Sequence, residues 1–229
     1  MRSLLIAGCA VGAIAAVACT GAPAQSVFVT HARAPGTACD YADDTHYVES
    51  ANFDVAATPF GMGQIFSWQN NLQATAITVG GDRIDSISKN DFTAKTVTVS
   101  YQTNPASSIP GDTVPIAASV PAGATSDKSS VAVPLITPAA NGALLANIGS
   151  GGGITTVLAT FTIRGTLQSG GTLETQPFTF PIYAYNSGFT GCPAGTVDVG
   201  AGQCGAQGVN IGALGNVTSL YCHFPDGGS

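Results

Sequence analysis

"FTAKTVTVSYQT" (Phe92–Thr103) is the stretch on which the fold turns. Val97, Val99 and Tyr101 alternate with Thr96, Thr98 and Ser100, so each set falls on its own face of an extended chain. Branching at Cβ stiffens χ1 and suits a pleated, half-buried surface better than a helix. One face is apolar. The other carries hydroxyls rather than charges, which describes a strand lying on a core with an uncharged outer side.

The same alternation recurs to either side. "SSVAVPLI" (129–136) sets Val131, Val133 and Leu135 in phase, and Pro134 directs that strand to a sheet edge. "TTVLATFTIRG" (155–165) places Val157, Ala159, Phe161 and Ile163 on one side, opposite Thr160, Thr162 and Arg164. After "QSGG" comes "TLETQPFTFPIYAYN" (172–186), with Phe178, Phe180 and Ile182 in step, so 155–185 reads as a long hairpin around a Gly-bearing turn. Upstream, "HYVESANFDV" (46–55) and "QIFSWQNNLQATAITV" (64–79) are further strand candidates. "GGDRIDSISKND" (80–91), the most charged segment, reads as a long connecting loop, and "AANGALLANIG" (139–149) as one short helix. Strands separated by Gly, Pro and Asn turns predict an all-β chain, an antiparallel β-sandwich of immunoglobulin-like type. No internal repeat is visible, which argues against solenoids and propellers.

Composition agrees. Charged residues make up 9% of the 229, against roughly 25% in an ordinary soluble domain. Gly is abundant at 29 residues, and the apolar share of 45% is too high for a disordered chain. The net charge of −6, with seven Lys and Arg in all, offers no basic patch for phosphate backbones or anionic lipid, so nucleic-acid binding is not expected.

The N-terminus is the strongest local signal. Arg2 precedes an unbroken run of apolar and small residues from Leu4 to Ala18, the pattern of a signal peptide. Two exits follow it. Cleavage before Cys19 would place a lipid on that sulfur, and cleavage after Ala24, behind "APA", would release an unanchored chain. The expected organisation is thus a leader over 1–24 (or 1–18), a tether over 25–45, and one sandwich domain over 46–229 whose C-terminal extension bears cysteines. Either exit leaves four of the six cysteines, Cys39, Cys192, Cys204 and Cys222, and in an oxidising compartment these read as two disulfides. The short interval from Cys192 to Cys204 suggests a local bridge, leaving Cys39 to join Cys222. Their spacings are not those of a zinc site.

Constellations that carry chemistry are sparse. There is no G-x-S-x-G, and His31, His46 and His223 fall in the tether, at the start of the domain and at the C-terminus. No HExxH occurs, and Glu49 and Glu174 are the only glutamates available to a carboxylate pair. Asp40, Asp43 and Asp44 in "CDYADDTH" crowd hard oxygen donors on one loop, so Ca²⁺ is the one cofactor considered, although EF-hand spacing is absent. Trp68 could stack on a sugar, but among Ile65, Phe66 and Leu72 it reads first as core. Asn216 heads a glycosylation sequon.

In order, "PGTACDY", "WQNNL", "AKTVTVSY", "VPAGATSDKSSVAVPLI" and "ATFTIRGTLQSGGTLETQPFTFPIYAYNSGFTGC" resemble predicted lipoproteins and secreted proteins of the myxobacteria and related delta-proteobacteria. The resemblance covers most of 36–222 and implies a Gram-negative envelope location with a sandwich-like fold. It carries over no activity and no site residue, and it favours Cys19 as the lipidated residue. The departure is Ala16, where such lipoproteins carry Leu, Val or Ile. Together these readings lead to an expectation of a non-catalytic exported envelope protein, lipid-anchored at the outer membrane, that binds or builds and whose partner is an envelope protein or glycan. Two other readings stand beside it: a secreted adhesin or filament subunit, and a calcium-dependent carbohydrate-binding module.

Overall fold

The computed structural model describes residues 26–34, 47–58, 60–150, 153–188, 197–200 and 220–223. In chain order the strands are β1 (Val27–Arg33), β2 (Tyr47–Val48), β3 (Ala51–Asp54), β4 (Met62–Asn70), β5 (Ala76–Val79), β6 (Asp82–Ser88) and β7 (Phe92–Asn104). There follow β8 (Asp112–Val120), β9 (Ser130–Ile136), helix α1 (Pro138–Asn147), β10 (Thr155–Leu167), β11 (Thr172–Glu174), β12 (Phe178–Tyr185), β13 (Val197–Gly200) and β14 (Leu220–His223).

The alternation that marks 92–103 becomes β7, an inner strand of the larger sheet between β10 and β8. That sheet runs β3-β12-β10-β7-β8, with β11 paired to the tip of β10. The smaller sheet runs β2-β1-β4-β9. β7 and β10 pair antiparallel over nearly their whole length, with Val97 opposite Ile163 and Val99 opposite Phe161. Their apolar sides face inward, where Phe66 and Trp68 of β4 meet Phe92, Phe161 and Phe180. Ring centroids lie 4.9 Å apart for Phe66 and Phe161, and 6.0 Å for the edge-on pair Trp68 and Phe92. Each such side chain withdrawn from water contributes about 2–3 kcal/mol, so these rings are the main weight of the core. This is an all-β sandwich, as the periodicity predicts.

Helix α1 forms where expected. Thr137 caps it, its hydroxyl accepting from the Ala140 amide at 3.3 Å, and Pro138 opens the first turn, where no N–H is needed. Ala140 and Leu144 press on the core. No helix among the described residues is long and apolar enough to cross a membrane.

Four expectations change. Residues 27–33, read as part of a tether, form β1, which lies between β2 and β4 with Val27, Val29 and Ala32 buried. Its alternation breaks at a bulge between Val29 and His31, which disguises the strand in the sequence. Residues 80–91, read as a loop, contain β6, which pairs with β5 around Gly80 and Gly81, at φ of +62° and +97°. Two consecutive left-handed residues are what a tight two-residue hairpin requires, and glycine adopts them without strain. "HYVESANFDV" splits into β2 and β3, which join different sheets. Finally, β3 lies parallel to β12, with Ala51 opposite Ile182 and Asp54 opposite Tyr185, whereas the other strand pairs are antiparallel.

Candidate functional site

The hydroxyl-bearing side of β7 is not an isolated stripe. Strand register extends it into rows that cross the outer face of the larger sheet. Asn104 stands opposite Thr156, Thr156 opposite Tyr183, and Tyr183 opposite Asn52, which makes one row over four strands. Two residues along, Gln102, Leu158 and Pro181 form the next row, and Ser100, Thr160 and Thr179 the third. A fourth row joins Thr113, Thr98 and Thr162. Side chains alternate across a strand, so while Val97, Val99, Val157, Phe161 and Ile182 fill the core, these residues point outward.

Local bonds stiffen the Thr-rich end. The hydroxyls of Thr160 and Thr179 lie 2.8 Å apart, those of Thr98 and Thr113 lie 3.1 Å apart, and Ser100 donates to the Thr160 carbonyl at 3.4 Å. The other end is open and sets two large side chains among amides and hydroxyls. Tyr183 is 39% exposed and Leu158 37%. Among the described residues Asn52, Gln102, Asn104, Thr156 and Tyr183 make no side-chain hydrogen bond, so their donors and acceptors face solvent.

Charge is kept to the margins. None of the four rows contains a carboxylate or a cationic side chain. Asp54, beyond the first row, is engaged through one oxygen: its Oδ1 accepts from the Ala56 amide at 3.1 Å and the Ser187 amide at 3.2 Å. Burial, and after it the carboxylate of Asp54, pushes the Tyr185 phenol up, so this corner stays neutral on the tyrosine side. Arg164 lies opposite Thr96, past the fourth row.

A second concavity lies at the sandwich edge. An apolar cleft of about 340 Å³ opens beside Val114 of β8 and Ala132 and Pro134 of β9, with Met62 and Ile136 in its lining. Phe60 stands at its rim, 85% exposed, on a turn that is firmly held. The buried Asn141 amide of α1 donates to the carbonyls of Val55 and Thr58 at 3.3 and 3.1 Å, and the Gly61 amide donates back to Thr58 at 3.0 Å.

The buried cation of the described core margin is Arg33, on β1. Its guanidinium donates to the Ser67 hydroxyl at 2.7 Å and to the carbonyls of Ser126 and Ser129 at 2.7 and 3.1 Å. Those contacts fasten the β8–β9 connection to the smaller sheet. Nearby, the Thr125 hydroxyl donates to the Asp127 carboxylate, and this bond holds the Asp127 pKa below its ordinary value.

Most residues singled out from the sequence are not brought together. Trp68 is fully buried against Phe92, so it is no sugar platform. Cys19, Cys39, Cys192 and Cys204, the acidic residues Asp40, Asp43 and Asp44, and the sequon at Asn216 lie outside the described residues. Cys222 lies in β14, opposite Asp198 of β13. His31 is in β1, 6.0 Å from the Tyr47 ring, and His223 ends β14. Glu49 lies in the bend after β2, at the edge of the smaller sheet, and Glu174 is in β11 at the tip of β10. Among the described residues no group of three or more His, Cys, Asp or Glu could hold a metal. The rows themselves were half visible in the sequence. The Thr and Ser between apolar positions are legible, but their alignment into rows needs the register. No protein-family model, curated protein or solved structure matches this chain.

Proposed function

We propose that this chain is a non-catalytic, exported cell-envelope protein that binds through the outer face of its larger sheet. The observation that carries the reading is the run of aligned, uncharged rows across β3, β12, β10, β7 and β8. In an acidic chain with few charges, a face that repeats hydroxyls and amides and exposes Tyr183 and Leu158 is built to hold a surface. The leader supports export. Attachment to the outer membrane through a lipid on Cys19, and two disulfides among Cys39, Cys192, Cys204 and Cys222, complete the proposal and suit an oxidising compartment.

Cosedimentation of the purified chain with envelope fragments from its host tests this reading. A lysine at Thr179, which ends the third row on β12, would have to be desolvated with no partner, so Thr179→Lys is expected to reduce sedimentation at least tenfold. Leu145→Lys, on the exposed side of α1, should leave it unchanged. Equal sedimentation of Thr179→Lys and the parent, or none by the parent, overturns the proposal.

A further inference from the structure

We infer that the ligand of this face is a neutral polysaccharide, laid across the strands at the end formed by Asn52, Tyr183, Thr156 and Asn104; this rests on the face being the binding surface.

The chemistry of the two rows at this end selects the class. Asn52, Gln102 and Asn104 each offer an amide N–H₂ and a carbonyl oxygen, and Thr156 and Tyr183 each offer a hydroxyl. All of these groups both donate and accept. A sugar hydroxyl does the same, so either orientation of a chain finds partners. An ionic ligand would instead require opposite charges. Neither row holds a carboxylate or a cation, and Asp54, one step beyond the first row on β3, has its Oδ1 turned to the amides of Ala56 and Ser187. A charged polymer would shed its hydration with no ionic compensation.

Apolar surface completes the match. Tyr183 and Leu158 stand diagonally across β12 and β10, and Pro181 faces Leu158 directly. Ile154, just before β10, is 67% exposed. An aromatic ring and flanking aliphatic groups, bordered by amides, suit a pyranose ring, which has apolar C–H faces and a polar rim. Four strands at a spacing of about 4.8 Å give the first row a length of about 14 Å, enough for a few sugar rings. The second row runs parallel to it about 7 Å away, so a neighbouring chain of an insoluble polymer would meet equivalent groups.

Binding of the full chain to amorphous cellulose, chitin and insoluble β-1,3-glucan, measured by depletion from solution, tests the inference. Heparin-agarose and polygalacturonate serve as charged comparisons. Retention on at least one neutral polymer is expected, insensitive to added salt and to EDTA because no ion pair or carboxylate-held cation takes part. Tyr183→Ala should weaken retention at least tenfold and Asn52→Ala about threefold, with melting temperatures close to the parent's because both side chains are exposed. Leu145→Ala should bind as the parent does. No retention on any neutral polymer, stronger retention on the charged ones, or full retention by Tyr183→Ala overturns the inference. If neutral polymers fail while envelope sedimentation still depends on Thr179, the binding face stands and the ligand class falls, the partner then being an envelope protein. Loss of both overturns the two readings together.

Discussion

A Cβ at Gly61 would stand 2.0 Å from the carbonyl oxygen of Ile136, and the residue sits at a φ of +88°. Backbone strain and collision with a fixed carbonyl therefore add. Gly61→Ala is expected to cost about 3–5 kcal/mol, since left-handed strain alone is about 1 kcal/mol or more and the clash cannot be relieved by a rotamer change. Gly80→Ala, also left-handed but with open space around the new methyl, should cost only about 1 kcal/mol. Chemical unfolding of the two variants checks this, and equal losses would refute the account. The single Trp shows how much was legible at this scale. Its neighbours Ile65, Phe66 and Leu72 pointed to core, yet Gln64 and Asn70 share its inward phase and blur the apolar pattern. Asn70 is tolerated there because its amide donates to the carbonyls of Asn90 and Val120 at 2.9 and 3.3 Å, a pairing that no local pattern announces.

Elements are joined by a few polar contacts, of which Tyr101 makes one. Its phenol oxygen accepts from the Thr137 amide at 3.4 Å, linking β7 to the cap of α1. Burial, chiefly, raises its pKa above the usual 10.0, with a smaller push from Asp112. The folded state therefore holds the proton more tightly than the unfolded state does. Its contribution is complete below pH 10.0 and is lost as pH rises through the raised folded value. Tyr101→Phe should lose about 1 kcal/mol at neutral pH and show a shallower alkaline fall in stability, while Tyr185, shifted in the same direction, keeps part of that fall. Unfolding curves between neutral pH and pH 11 or so measure it, and superimposable alkaline limbs for parent and variant would contradict it. Elements with clean alternation, β7, β9, β10 and β12, were readable from residues alone. β1 was not, because its bulge shifts the phase, and β6 was not, because Asp82, Arg83 and Asp85 made a hairpin arm look like a loop despite the Gly-Gly turn beside it.

At the scale of the whole molecule, sheet edges decide whether copies associate. Among the described residues β8 and β9 end their sheets, and they carry Pro115 and Pro134, which lack an N–H to donate to an added strand. At the opposite side β2 has two residues and β3 four, too short to template much pairing. These features disfavour strand addition along the described edges. Light scattering should show one species at all concentrations. A combined Pro115→Val and Pro134→Thr variant should associate more readily, and a concentration-dependent polymer from the parent chain would speak for the filament reading instead.

The parallel pairing of β3 with β12 has a temporal consequence. Residues 51–54 find their partners only in residues 182–185, so the larger sheet cannot close until most of the chain has left the ribosome. Contacts so distant in sequence make for slow folding, in which closure of a long loop precedes its reward. The smaller sheet, whose last strand ends at Ile136, must therefore wait for β10 and β12 before its apolar face is covered.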